Sequence, residues 1–311
     1  MLHHVRHGFL LVDKPVGMTS HDVVAEVRRT LGERRIGHLG TLDPSATGLL
    51  VLAIGAKALK MIELFADLPK EYEAQVRFGA VSTTYDSEGV ITEIAPQPGW
   101  SQPAQSTIQR TIEDRFLGRI QQVPPVYSAV HVGGERAYRK ARRALHRSVA
   151  TGAGRGSGVA IPAREVLIER CEILSYEYPV LRLAVRCGSG TYIRSLAHDL
   201  GAILRCGGYL ASLRRTRVGL PVGAQGAKAG DWSLRDAVPL GKVTWAHVIP
   251  LKEVLRGFPA LELSADEFEE LSRGQNIFRD VQPNTIGWYD DLPVALLIPA
   301  GDGEAHARKV L

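Results

Sequence analysis

The sequence predicts an α+β protein built on a mixed, mainly antiparallel sheet flanked by helices. Three observations lead there. Apolar residues alternate with polar ones at Tyr72, Ala74, Val76 and Phe78, and again at Leu181, Leu183, Val185 and Cys187, as in strands with one buried and one open face. Continuous apolar runs at residues 9–12 and 49–54 mark strands buried on both faces. Apolar residues at helical spacing lie between these runs. Half-open strands of this kind do not belong to a doubly wound parallel sheet.

The elements follow in order. A first strand over residues 9–12 closes at Asp13, Lys14 and Pro15. Thr19 or Ser20 caps a helix carrying Val23, Val24, Val27 and Leu31 on one face. A second buried strand fills 49–54, and a helix over 57–68 presents Leu59, Ile62 and Phe65. Ile108, Ile112 and Phe116 mark another helix, and Ile193, Leu196, Ala197 and Leu200 a fourth. Ser264 and Glu267 have capping-box spacing ahead of Phe268 and Leu271, and a late strand spans 293–299. The glycine-rich stretch at 152–158 is a loop tip or linker; its spacing and context do not fit a dinucleotide fingerprint.

Charge divides the chain unevenly. Residues 251–311 hold 6 basic and 11 acidic side chains, and the preceding 250 hold 32 basic and 22 acidic. The change of sign near Pro250 places a domain boundary there, giving residues 1–249 and 250–311. A basic body suits a polyanionic partner, nucleic acid first. Two basic runs contain no acid. One is Arg136, Arg139, Lys140, Arg142, Arg143, Arg147 and Arg155; the other is Arg205, Arg214, Arg215 and Arg217. Such runs suit a phosphate backbone, and are otherwise solvated faces. The three cysteines, Cys171, Cys187 and Cys206, match no zinc or disulfide spacing, which fits a reducing cytoplasm. No apolar run approaches the ~18 residues of a membrane span.

One carboxylate stands out. Asp43 lies between Gly37, Gly40 and Gly48, with Pro44 fixing the backbone behind it and a buried strand following at once. A carboxylate on a stiff loop at a strand mouth suits a nucleophile; an Asp-Pro turn before a strand is the plainer reading. Tyr72, where it faces the open side of its strand, can stack on a base. Arg194 falls in the first turn of its helix, where a cation sits poorly against the positive helix end unless an anion faces it. Asp43 is a candidate for that anion.

Together these residues resemble the TruB family of tRNA pseudouridine synthases over most of the chain. Residues 9–20 (Phe-Leu-Leu-Val-Asp-Lys-Pro-Val-Gly-Met-Thr-Ser) resemble the family's opening. Residues 37–44 (Gly-His-Leu-Gly-Thr-Leu-Asp-Pro) with 46–48 resemble its catalytic-aspartate motif, and Lys70, Glu71 and Tyr72 its tyrosine motif. Residues 123–129 with Gly133 and Tyr138 resemble its RNA-contacting insertion, here about 124–158. Residues 190–194 and 213–215 resemble its remaining active-site elements. Departures are His131 in place of a lysine, a looser segment around Thr83 and Asp86, and the added glycines at 152–158.

The resemblance implies a pseudouridine synthase fold with a small C-terminal PUA-like β-rich domain. It implies isomerisation of uridine 55 in the tRNA T-loop by base flipping, without cofactor or metal, in a cytoplasmic monomer. Asp43 is then the nucleophile, at either C1′ of the ribose or C6 of the ring. Arg194 holds Asp43 ionised, and Tyr72 stacks on the uracil. Tyr192 and Leu213 line the uracil pocket, His38 fills the gap left by the flipped base, and Asp86 keeps the acid of its segment. Lys14 supports the catalytic loop. Arg139, Lys140, Arg142, Arg143, Arg214 and Arg215 meet the RNA backbone. A non-catalytic RNA-binding protein on the same scaffold is the alternative, and a nucleoside or glycoside hydrolase is a third reading. The hydrolase normally needs a second carboxylate, and no motif here supplies a clear one.

Overall fold

A computed structural model describes residues 7–127, 131–132, 135–136, 161–219 and 231–311. The elements run β1 (Gly8–Lys14), α1 (Ser20–Leu31), β2 (Ile36–Leu39), β3 (Thr47–Ile54), α2 (Gly55–Met61), β4 (Lys70–Phe78), β5 (Ala80–Ser82), β6 (Ile91–Glu93), α3 (Gln105–Arg115) and β7 (Gly118–Gln122). They continue through β8 (His131–Val132), β9 (Glu135–Arg136), β10 (Arg164–Glu177), β11 (Val180–Cys187), α4 (Ile193–Ile203), β12 (Gly208–Val218), β13 (Trp232–Ser233) and β14 (Val238–Pro239). The last are β15 (Ile249–Pro250), α5 (Leu251–Leu255), β16 (Ala260–Glu262), α6 (Ala265–Ser272), β17 (Thr285–Tyr289), β18 (Leu292–Gly301) and β19 (Glu304–Val310). The chain forms two compact units, Met1–Leu68 with Arg215–Leu311, and Pro69–Arg214.

In the first unit β1 runs antiparallel to β3, from Gly8 opposite Ile54 to Lys14 opposite Gly48. β2 pairs antiparallel with β3, and β14 lies parallel to β1. The apolar runs are explained by burial on both faces: residues 9–12 and 49–54 are all buried. Each fully buried Leu or Phe stabilises the fold by roughly 1.5–3 kcal/mol. Phe9 packs edge-on against Phe65, with ring centroids 5.0 Å apart, and Phe65 lies 5.1 Å from Trp232. Helix α1 starts at a capping box in which the Asp22 amide donates to Thr19 Oγ1 and the Thr19 amide to Asp22. Val23, Val24, Val27 and Leu31 are its buried stripe.

The C-terminal strands form a four-stranded sheet in the order β16-β17-β18-β19. Leu263, Leu271, Ile277 and Leu297 form its own apolar centre. Ile286, Trp288 and Leu296 instead join the core built on Phe9, Leu11 and Leu49. The compact units therefore divide elsewhere than at the charge boundary near Pro250.

In the second unit β4, β11, β10 and β7 lie side by side, each pair antiparallel. Leu181, Leu183 and Val185 of β11 meet Ile108 and Ile112 of α3 and Leu196 and Leu200 of α4 in one core. The thiols of Cys171 and Cys187 lie in it, pushed by burial up to about 12 and about 11. Of these strand pairs, β1–β14 and β16–β17 are parallel and the rest antiparallel, so strand pairing is mixed and mainly antiparallel as expected.

The helix expected over residues 57–68 is shorter. It is α2 followed by a tighter 3₁₀ turn, Ile62–Phe65, whose Phe65 is buried. Tyr72 shares the parity of Ala74, Val76 and Phe78 on β4 and packs half-buried against their core, with part of the ring left uncovered.

Candidate active site

The loop carrying Asp43 is held at both neighbours. Ser20 Oγ donates to the Leu42 carbonyl at 3.1 Å and accepts from the Leu42 amide at 2.9 Å. On the other side the Pro44 carbonyl accepts from the Gly17 amide at 2.8 Å and from Lys14 Nζ at 3.2 Å. The Ala46 amide closes a turn onto the Asp43 carbonyl at 3.1 Å. Asp43 itself is half-buried. Lys14 is 0 % exposed, and its ammonium also donates to the carbonyls of Pro15 (3.0 Å) and Met18 (2.5 Å). It ties the two sides of the turn together.

Two glycines have a clear local reason. Gly48, with φ at +97°, turns the chain into β3 through a conformation that other residues rarely adopt. A Cβ on Gly37 would stand 2.7 Å from Leu59 Cδ2, so glycine lets β2 approach α2.

His38 lies on β2 opposite Leu52, with its ring edge-on to His21 at a centroid distance of 5.3 Å. Burial lowers its pKa below the ordinary histidine value, and the nearby charges of His21 and Arg215 lower it further. The ring is neutral at pH 7.

Arg215 requires a correction. Expected as a phosphate-contacting surface cation, it is 1 % exposed. Its Nε donates to the Leu49 carbonyl at 2.7 Å and its Nη2 to the Gly40 carbonyl at 3.0 Å. It ties the start of β3 to the turn ahead of Asp43. Arg217 of the same run is paired with Asp231. The Arg214 side chain is half-buried. Arg139, Lys140, Arg142, Arg143 and the glycine-rich stretch lie outside the described residues.

In the second unit Arg194 has the anion that its position at the head of α4 demands. Nη1 lies 3.5 Å from Asp86 Oδ2, with both side chains buried, and donates to the Thr84 carbonyl at 3.2 Å. Nη2 donates to the Tyr127 carbonyl at 3.1 Å. The next residue, Ser195, donates to the Val123 carbonyl at 2.7 Å. Gln122, 2 % exposed, clasps Tyr192, accepting from its amide at 2.8 Å and donating to its carbonyl at 3.0 Å. The Pro-rich segment 123–127 is thereby fastened to the first turn of α4. Leu213 packs half-buried against the core of this unit, as does Tyr72.

Other residues around this site carried little sequence signal. Arg186 is a buried charge on β11, donating to Glu71 at 2.6 Å and Glu169 at 2.5 Å. It holds the residue just before Tyr72. Tyr85 stacks on His198, and Gln122 is a buried glutamine at the end of β7. The Arg186 position alone offered a hint, as an arginine between Val185 and Cys187 in an otherwise apolar strand end.

Residues 28–193 match the family model of the TruB family pseudouridylate synthases, N-terminal domain. The chain belongs to this family, and is therefore an isomerase. It is 40% identical over 302 residues to the tRNA pseudouridine synthase B of Leifsonia xyli subsp. xyli (strain CTCB07), covering 94% of this chain and 90% of that one. It is 43% identical over 289 residues to the tRNA pseudouridine synthase B of Trichormus variabilis (strain ATCC 29413 / PCC 7937), covering 90% and 88%. In fold it resembles a chain from the crystal structure of a Cbf5-Nop10-Gar1 complex, with a TM-score of 0.64 and 21% identity over 94% of this chain and 78% of that chain. Among the described residues no helix is long and apolar enough to cross a membrane.

Proposed function

We propose that this chain converts uridine to pseudouridine in tRNA, at position 55 of the T-loop. The observation that carries the reading is the doubly braced Asp43 loop in a chain about 40% identical, over 94% of its length, to a tRNA pseudouridine synthase B. In the reaction the N1–C1′ bond breaks and a C5–C1′ bond forms. The C5 hydrogen leaves as a proton and N1 gains one, so atoms and charge balance without redox change.

Asp43 is the nucleophile of this proposal, at C1′ or at C6. A loop fixed at both neighbours suits it, because little reorganisation remains for the attack. Tyr72 stacks on the uracil and takes part in proton loss from C5; Tyr192 and Leu213 line the base. His38, neutral at pH 7, fills the space of the extruded nucleotide. Unstacking that nucleotide costs a few kcal/mol, which Arg139, Lys140, Arg142, Arg143 and Arg214 offset by pairing with phosphates. Arg215 takes no part in that pairing. The protein acts as a cytoplasmic monomer, with residues 250–311 as a PUA-like domain.

The test is tritium release from tRNA labelled at C5 of uridine, followed by nucleoside analysis. Release together with pseudouridine supports the reading. Binding without release favours a non-catalytic RNA-binding protein, and free uracil a hydrolase; either overturns it.

A further inference from the structure

Tyr85 and His198 are far apart in sequence, yet their rings lie parallel, 7° between planes and 3.8 Å between centroids. Three further observations single out this stack. First, Tyr85 holds φ at +66°, a left-handed conformation uncommon for a bulky residue, so its surroundings must fix it. They do: its amide donates to the Ser82 carbonyl at 3.1 Å and its carbonyl accepts from the Leu210 amide at 2.9 Å. Second, the residue after Tyr85 is Asp86, whose carboxylate meets Arg194. Third, His198 is four residues beyond Arg194 on α4, so the two side chains leave the same face of the helix one turn apart. Two consecutive residues of the loop thus meet two successive rungs of one helix.

We infer that Tyr85 and His198 are positioning residues: their stack fixes the loop at 82–89 on α4 and thereby sets the Asp86 carboxylate against the Arg194 guanidinium. The guanidinium depends on that placement twice, because it donates both to Asp86 and to the Thr84 carbonyl of the same loop. Thr84 Oγ1 and the Glu88 amide both donate to Asp86 Oδ1, which orients the carboxylate within the loop but does not place the loop on the helix. The aromatic stack does, beside the Arg194 bond to the Thr84 carbonyl and the Leu210 amide bond to the Tyr85 carbonyl. Burial lowers the His198 pKa, so the ring against Tyr85 is a neutral imidazole at pH 7.

This inference rests on the reading that Arg194 serves the isomerisation. Its test compares kcat and KM for tRNA in the full-length protein. Tyr85→Gly removes the ring and suits the left-handed backbone, so it keeps the fold. It is expected to lower kcat roughly tenfold while leaving KM unchanged, as a loss of orientation and not of tRNA affinity. His198→Ala is expected to do the same, and the double variant to lose no more than either single one. Tyr85→Phe keeps the stack and is expected to turn over like the wild type. Wild-type kcat in Tyr85→Gly overturns the inference, as does a kcat loss in Tyr85→Phe equal to that in Tyr85→Gly, or an effect confined to KM. A wild-type protein that releases no tritium defeats the functional reading first, and the inference with it.

Discussion

Lys14 Nζ donates to the carbonyl oxygen of Pro44, 30 residues along the chain and directly after Asp43. The lysine is wholly buried and holds two further carbonyls, so its ammonium substitutes for water around a tight turn. Lys14→Met keeps the length and apolar stem but withdraws the donor from three acceptors. Pro44 keeps the Gly17 amide as a donor and Pro15 is exposed, so the loss falls chiefly on the Met18 carbonyl and on the tie across the turn; an acceptor left unpaired costs about 1–3 kcal/mol. The variant is expected to unfold at lower urea concentration, with stability reduced by about 1–3 kcal/mol, and to lose activity because the Asp43 loop loosens. An unchanged midpoint means that the lysine does not brace the loop.

Asp43→Asn preserves shape and removes the anion. Turnover is expected to fall on the order of 10³-fold or more, since an amide cannot replace a carboxylate nucleophile. The dissociation constant for tRNA is expected to stay within about twofold, because pairing with phosphates supplies most of the affinity. Single-turnover tritium release and filter binding measure the two. Normal release removes Asp43 from the mechanism.

Arg215 and the arginines of the insertion separate two roles that composition cannot tell apart. Arg215→Met deprives the Leu49 and Gly40 carbonyls of their donor and is expected to cost about 2–4 kcal/mol of stability. It is expected to leave the salt dependence of tRNA binding as it was. Replacing Arg139, Arg142 and Arg143 together with alanine is expected to do the reverse, flattening the slope of log K against log salt by about 1 for each phosphate no longer neutralised. Identical slopes in the triple variant and the wild type would place those side chains away from the RNA.

Local signals were legible in the sequence, and distant pairings were not. The Ser264–Glu267 capping box starts α6 where the four residues alone placed it. The alternation at Leu181, Leu183 and Val185 marks β11 because the period of a strand is written in adjacent residues. The helix-end position of Arg194 asks for an anion, with Asp43 offered as a candidate; the carboxylate beside it in its own unit is Asp86, which that position alone does not name. By contrast, Arg186 finds Glu71 across 115 positions, and Arg215 finds Gly40 across 175. A side chain's identity states what it can donate, not which carbonyl the fold brings to it. For that reason a buried brace has the same sequence signature as a surface cation.

Histidine burial makes stability depend on pH with a definite sign. His7, His38 and His198 all have pKa values lowered from 6.5, each mainly by burial. Below pH 6.5 the unfolded chain takes up protons that the folded chain refuses, so stability falls as pH drops from 6.5 towards the folded-state values and is level above it. Asp199, whose pKa burial raises from 3.8, has the opposite sign and acts at lower pH. Urea midpoints are therefore expected to decline between about pH 7 and about pH 5.5. His38→Gln removes one of the three contributions and is expected to make the decline shallower while leaving the plateau above pH 7 level. A decline of the same steepness in His38→Gln would mean that the half-buried ring beside His21 and Arg215 charges as readily in the folded chain as in the unfolded one.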